Sequence, residues 1–386
     1  MACWIVSLDG GPKKPNQAAI VINDKIYSFG SCCCYERGFI EPELAFGVHV
    51  LNPADYRWQF VQTRRFEPNP SEQFIDGTGE IYQPYGEIPT LRSGHSVVAY
   101  KGKAYMWGGY CYGREILSTS LYCFDPEERT WSVIPHVGPT PAPREKHTAV
   151  VFNDMMIIYG GLINNQLRFC ENVWGYNFRT RKWYSTLITG DIPRGRIHHT
   201  ACVIEKKMYV FGGVDQSNHA LYLNVLDLRR GHWETTNVTG HRPYAVRDAC
   251  CWVHNNKMYI FAGCRHRDGQ YVPSLYRFDP EISMWSKIRP FGFRGASGRQ
   301  HHCGVVVGDC AYVFTGLTQS IVFTEMFGYG YVMEMCDLHV LSFNWTLKDL
   351  SAIAVLQHGL YRIDSDELPL ELKVHLAMMT ESNDLL

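Results

Sequence analysis

Net charge is nearly absent from this chain: 37 lysines and arginines stand against 38 aspartates and glutamates in 386 residues, leaving a formal −1. That balance excludes a bulk field drawing the protein toward nucleic-acid phosphate or an anionic membrane surface. Apolar runs approaching the ~20 residues needed to cross a bilayer are missing, so the expectation is a soluble protein with no membrane partner. The opening MACWIVSLDGG has no basic start followed by an apolar core, so no secretory leader is expected. GxGxxG and phosphate-loop patterns are missing too, which leaves nucleotide chemistry unsupported. Cysteines number fourteen, yet no CxxC pair is matched by a second at zinc spacing. Reduced thiols of an intracellular protein fit better, in the cytoplasm with the nucleus also open. Cys202, Cys250 and Cys303 lie in apolar runs where a thiol acts as a small hydrophobe. Cys32, Cys33 and Cys34 read as a strand end and loop.

What the chain has in quantity is glycine (34), proline (19) and strand-favouring aromatic and β-branched residues, and these are periodic. Apolar runs closing on two small residues recur as IYSFGS (26–31), AYMWGG (104–109), MIIYGG (156–161), MYVFGG (208–213), MYIFAG (258–263) and AYVFTG (311–316). From the second run to the sixth the spacings are 52, 52, 50 and 53 residues. Trp58, Trp131, Trp183, Trp233 and Trp285 keep step with them. So do His95, His147, His199 and His302, with Gln17 and Ala249 at that register in the two departing units. Arg92, Arg144, Arg196 and Arg299 stand three residues earlier, and Arg247 is displaced by one. A period near fifty with these marks resembles the kelch family over about residues 1–343.

Each unit reads as a four-stranded antiparallel sheet whose second strand is apolar throughout and whose tryptophan packs between neighbouring units. The paired glycines allow close backbone approach at a crowded hub. The sixth unit has a third strand at 336–343 but no tryptophan-bearing fourth one. Trp4 and its neighbours supply the missing piece. The expected fold is therefore all-β, a six-bladed propeller closed by the amino-terminal strand and followed by a short helical tail at 344–386. Two insertions, at 59–91 and 317–335, break the pattern and are candidates for functional loops.

One histidine at the same register in four units is read as structure, since repetition implies a shared local task. Without a convergent acid/base pair or metal set, no catalytic residue, cofactor or metal is expected. The arginines begin each first strand near one face, where several guanidinium groups could grip a carboxylate bidentately.

In the tail, Thr346-Leu347-Lys348-Asp349 reads as a capping box opening a helix with Leu347, Leu350 and Ala354 on one face. A second helix is expected from Ser365 or Asp366, with Pro369 in its first turn and Leu368, Leu372, Leu376 and Met379 at helical spacing. Two such helices cannot join the core of a closed ring, so they pack outside it or bind a partner. The first helix resembles the elongin-binding box of cullin-RING substrate receptors at Thr346, Leu347, Leu350 and Val355, with Ser351 where that family has cysteine. Leu368, Pro369, Leu372 and Leu376 are similar to the box that selects cullin-2. The opening Trp4 to Pro12 and the strand Asp337 to Leu341 resemble the kelch members of that receptor family.

This resemblance implies a substrate-recognition adaptor with elongin B/C, cullin-2 and substrate C-termini as partners. It further implies that C-terminal degrons, often ending in glycine, bind a pocket on the propeller face. Arg242 and Arg247 are the leading candidates for the carboxylate, joined by Arg196, Arg299 and Ser274. The alternative is a kelch scaffold for cytoskeletal, meiotic or chromatin proteins with no ligase role.

Overall fold

A computed structural model describes residues 2–12, 17–30, 46–69, 73–163, 168–292, 294–320, 331–358, 360 and 368–380. The Cys32–Cys34 run, the middle of the second insertion and the segment before the second helix lie outside the described residues.

Where the sequence repeats, the strands do too. The second unit shows the pattern: Ser96–Tyr100, Lys103–Trp107, Leu121–Asp125 and Thr130–Val133 pair antiparallel in chain order. The first, third, fourth and fifth units repeat it. The sixth draws on both ends of the chain. Cys303–Val307, Cys310–Phe314 and Leu338–Ser342 are followed in the sheet by Cys3–Leu8, which pairs antiparallel with Leu338–Ser342. The amino-terminal strand is thus where Trp4 placed it. The first strands of successive units lie side by side, and Ala18–Ile22 of unit one neighbours Cys303–Val307 of unit six. Residues preceding all six first strands line one cavity of about 160 Å³, among them Gln17, Gly94, Lys146, His198, Asp248 and His301.

Between units, each tryptophan meets the aromatic that ends the second strand of the unit before it. Trp131 meets Phe29 at 5.9 Å, Trp183 meets Trp107 at 5.3 Å, Trp233 meets Tyr159 at 5.1 Å and Trp285 meets Phe211 at 5.4 Å. The same relation joins Trp4 to Phe261 at 5.7 Å and Trp58 to Phe314 at 4.9 Å. The paired glycines make room for the next unit. Gly108 has φ +73°, and a Cβ there would stand 2.6 Å from the His147 ring and 2.7 Å from the Arg144 carbonyl.

The first insertion thickens the edge of unit two. Arg64–Arg65 runs parallel to Thr130–Trp131, and Tyr85–Gly86 pairs with Ser132–Val133. Its hairpin, Phe74–Ile75 with Ile81–Tyr82, sends Asp76 3.2 Å from the buried guanidinium of Arg181 in unit three. That guanidinium also lies over the Tyr82 ring at 4.0 Å.

Helix α1 (Leu347–Gln357) opens with the expected capping box. The Thr346 hydroxyl accepts from the Asp349 amide, and the Asp349 carboxylate accepts from the Thr346 amide. Helix α2 spans Leu370–Thr380. Of the two expectations for the tail, packing on the outside is the one observed. Ala352, Ile353, Val355, Leu356, Leu376 and Met379 share one buried cluster with Cys3, Ile5, Leu8, Trp58 and Phe314. Cys3–Leu8, which also pairs parallel with Phe291–Gly292 at Cys3 and Trp4, offers an apolar face that the helices cover, and α2 packs directly on that strand.

Because the strand serves both sheet and tail, removing residues 1–8 should lower the melting temperature of the whole chain in one cooperative step. Trp4→Ala alone should cost about 3–5 kcal/mol by urea unfolding. An unchanged melting temperature after the deletion would mean that the strand is peripheral.

Candidate functional site

Each repeated arginine follows a proline or glycine loop and turns inward. The guanidinium of Arg92, Arg144, Arg196 and Arg299 donates in turn to the carbonyls of Gly108, Gly160, Gly212 and Thr315, at 3.0 to 3.4 Å. Arg196 is 1 % exposed and also donates to the Tyr222 carbonyl and, at 2.6 Å, to the Asn224 side chain. Arg299 is fully buried and forks onto Asp337 at 2.6 and 2.8 Å, while His339 holds the same carboxylate. These guanidinium groups stitch each loop to its own second strand. They do not ring an open mouth.

Unit five departs. Val246–Arg247 pairs with Cys264–Arg265, leaving Arg247 half-buried beside the Cys264 thiol. Arg242 is exposed, and its guanidinium reaches back to the Val238 carbonyl. It lines a cavity of about 550 Å³ with Tyr222, Tyr244, Arg265, His266 and Arg267. Asp268 orients Arg265 from within the same loop, and the Arg265 guanidinium lies 5.1 Å from the Tyr244 ring centre. A smaller neighbouring cavity shares Pro243 and Tyr244 and has Ser274 in its wall. Arg242 and Ser274 therefore flank Pro243-Tyr244, Arg247 lies beside Cys264 and lines neither cavity, and Arg196 and Arg299 lie in the interior. Sequence reasoning missed Arg265, His266 and Arg267. Their signal is the run Arg265-His266-Arg267 directly after Gly263-Cys264, where units two and three continue with uncharged residues and unit four with the acidic Asp215.

The repeated histidines are buried and tie neighbouring units together. His147 Nε2 lies 2.8 Å from the Ser96 hydroxyl and His199 Nε2 2.9 Å from the Thr148 hydroxyl, each one unit back. Their rings sit edge-on to Trp107 and Tyr159. Burial holds His95 and His302 down at a pKa of about 3, with the Arg92 and Arg299 charges adding to the effect. His147 and His199 are held well below the ordinary value for the same reason.

In the tail the helices divide their residues between two faces. Leu347 is 81 % exposed, Ser351 is exposed with its hydroxyl donating to the Leu347 carbonyl, and Leu350 is half-buried. Val355 faces the core cluster. On α2, Leu376 is buried, Leu372 partly buried and Leu370 exposed, and just before it Leu368 is partly buried and Pro369 exposed. A hydrogen bond of 3.0 Å between His375 and Asp349 locks the two helices together.

Comparison with known proteins places these features in a class. The KLHDC2/KLHL20/DRC7 kelch-repeats domain matches residues 94–316, so the chain belongs to the kelch-repeat family. Domains of this kind are non-catalytic interaction scaffolds, and the chain has a protein-interaction role, not an enzymatic one. It is similar to Kelch domain-containing protein 3 of Rattus norvegicus and of Homo sapiens. In both, identity is 31 % over 99 % of this chain and 97 % of the relative. Kelch domain-containing protein 2 of Bos taurus is 26 % identical over 59 % of this chain and 62 % of its own length. Among the described residues, no helix is long and apolar enough to cross a membrane.

The buried histidines set an acid limit. Their folded pKa values lie below the unfolded 6.5, so the unfolded chain binds more protons as pH falls from about 6.5 toward 3. Their contribution is complete above 6.5 and is lost below it, at about 1.4 kcal/mol per pH unit for each histidine. Asp337 behaves differently. Burial raises its pKa, but hydrogen bonds from His339 and Arg299 outweigh that and hold it below 3.8, so its contribution survives until pH falls under that value. Urea midpoints should therefore fall steeply from pH 6.5 to 5. A flat profile down to pH 4 would contradict this account.

Proposed function

We propose that residues 1–343 form a closed six-bladed propeller and 344–386 a helical tail, and that the chain is the substrate-recognition adaptor of a cullin-2/elongin B–C ubiquitin ligase. In this reading the propeller face holds substrate C-termini, glycine-ending ones among them, for degradation in the cytoplasm or nucleus. Ring closure is supported by the pairing of Cys3–Leu8 with Leu338–Ser342 and by the Trp58–Phe314 contact between the first and last units.

The observation that carries the recognition role is the cavity at unit five. Arg242, Arg265 and Arg267 supply positive charge, and Tyr222 and Tyr244 supply walls that can grip an extended peptide. A chain terminus needs such a pocket, because its carboxylate must trade water for charge-assisted hydrogen bonds. Arg242, Arg247 and Ser274 make the contact site, and Arg196 and Arg299 hold the loops that present it.

The ligase role rests on the two tail motifs and on their exposure. Leu347 and Ser351 face outward on α1, where elongin would dock, and Pro369 stands free at the start of α2 for cullin-2. A second reading, a kelch scaffold for chromatin, meiotic or cytoskeletal proteins, is favoured by the commitment of Val355 and Leu376 to the core cluster.

Two measurements separate the readings. A C-terminal peptide library screened on the purified protein should yield ligands whose amidation costs about 2 kcal/mol, roughly thirtyfold in Kd. Arg242→Glu should abolish their binding without moving the melting temperature. Leu347→Asp combined with Leu350→Asp should end co-purification with elongin B/C and cullin-2. Amidation without effect would sink the C-terminus reading, and association surviving the double change would leave the scaffold.

A further inference from the structure

The residue two before the first strand of units two to six adopts the left-handed backbone region. These residues are Gly94, Lys146, His198, Asp248 and His301, with φ between 54° and 66°. A left-handed turn favours glycine and tolerates aspartate or histidine. It does not by itself require the last three to converge, yet they do. His198 Nδ1 lies 2.5 Å from Asp248 Oδ1, and His301 Nδ1 lies 3.1 Å from the same oxygen. One donor atom from each residue falls within 4.8 Å of the others. The imidazole rings stand 5.7 Å apart, inclined at 55°.

The surroundings suit a bound ion. The Asp248 carboxylate is only 8 % exposed and the imidazoles 19 %, so the donors are shielded but open on the cavity side. Backbone bonds fix the loops, since the Asp248 amide donates to the His198 carbonyl at 2.9 Å. At the next position His199 and His302 fill their registers, but unit five has Ala249, which leaves the space beside Asp248 clear of a third ring. The nearby cation, Lys146, is drawn to Glu145 at 3.7 Å.

We infer that His198 Nδ1, Asp248 Oδ1 and His301 Nδ1 hold one divalent first-row transition cation, Zn2+ or an ion of similar preference, in the cavity shared by the six units. Two imidazoles and one carboxylate are a donor set for such ions, and three protein donors leave a position facing the cavity for water or an anion. Metal–ligand bonds of ~2.0–2.2 Å put donor atoms about 3.3 Å apart, so the two imidazole–carboxylate spacings need to open by less than ~1 Å and the spacing between the imidazole donors, at most 4.8 Å, must settle to that value. On binding, each imidazole gives up the Nδ1 proton it shares with Asp248 to solvent and carries its proton on Nε2 instead, so that the Nδ1 lone pair replaces the hydrogen bond to Asp248. The ion would then tie units four, five and six together.

The test uses the full chain, stripped with chelator and titrated with Co2+ followed by optical absorption. One equivalent should bind with nitrogen and oxygen ligation and no thiolate-to-cobalt charge-transfer band, and Zn2+ should displace it. Asp248→Asn, His198→Gln and His301→Gln should each weaken Co2+ binding by roughly a hundredfold or more, with folding checked by thermal melts. Absence of one-equivalent binding in the unaltered protein, or a thiolate band in its spectrum, overturns the assignment whether or not the variants fold. Binding unchanged in folded Asp248→Asn overturns it as well.

Discussion

The contact on which the molecule depends is the one between the tryptophan of one unit and the aromatic that closes the second strand of the unit before. A single four-stranded sheet has two faces and buries neither, and an isolated unit would leave some 150–250 Å² of indole in water. Stacking against a neighbour removes that surface, but each stacked unit then needs a neighbour of its own. The six tryptophans and six partner aromatics answer the requirement in cyclic order, Trp4 on Phe261 and Trp58 on Phe314 included. This explains why the fourth strand of the last sheet comes from the start of the chain. A unit six completed by its own carboxy-terminal strand would leave the ends of the chain independent of each other.

Once the units are stacked, the remaining repeated residues have little freedom to do anything else. Arginine at a fixed register is consumed by carbonyls of its own unit, and histidine by a ring of the previous one, joined in units three and four by a hydroxyl. Chemistry directed outward has to come from positions that break the repeat. Unit five breaks it most: its arginine is shifted by one residue, its histidine is Ala249, and its loop carries Arg265-His266-Arg267 in a row. The basic cavity and the His198–Asp248–His301 cluster both include residues of that unit.

Much of this was legible in the amino-acid order. Spacing near fifty, the unpaired third strand at 336–343 and the tryptophan at position 4 sufficed to assign the strand pairs, because period-two burial and turn residues are local signals. Thr346 and Asp349 likewise announced the start of α1 by local hydrogen-bonding chemistry. Depth was not legible. A repeating arginine reads the same whether it points to solvent or inward, and only the fold shows Arg196 and Arg299 bonded in the interior. The convergence of His198, Asp248 and His301 was hidden for another reason, since residues about fifty apart become neighbours only when separate units are brought side by side. The charged run at 265–268 was the one visible sign of the basic cavity.

The docking of the tail follows from the same geometry. Cys3–Leu8 is the outer long strand of its sheet, paired at its start with Phe291–Gly292, and without a cover its apolar face would stand in water. The helices are that cover, which is why Ile353, Val355, Leu356 and Leu376 are turned toward it. A helix that must cover that strand with one face keeps only the other for a partner, and on α1 that free face begins at Leu347 and Ser351. Partner binding through the outward residues can leave the sheets untouched, whereas binding that recruits Val355 must first strip the cover from the amino-terminal strand. The stability of the last sheet and the availability of the tail are therefore two readings of one packing equilibrium.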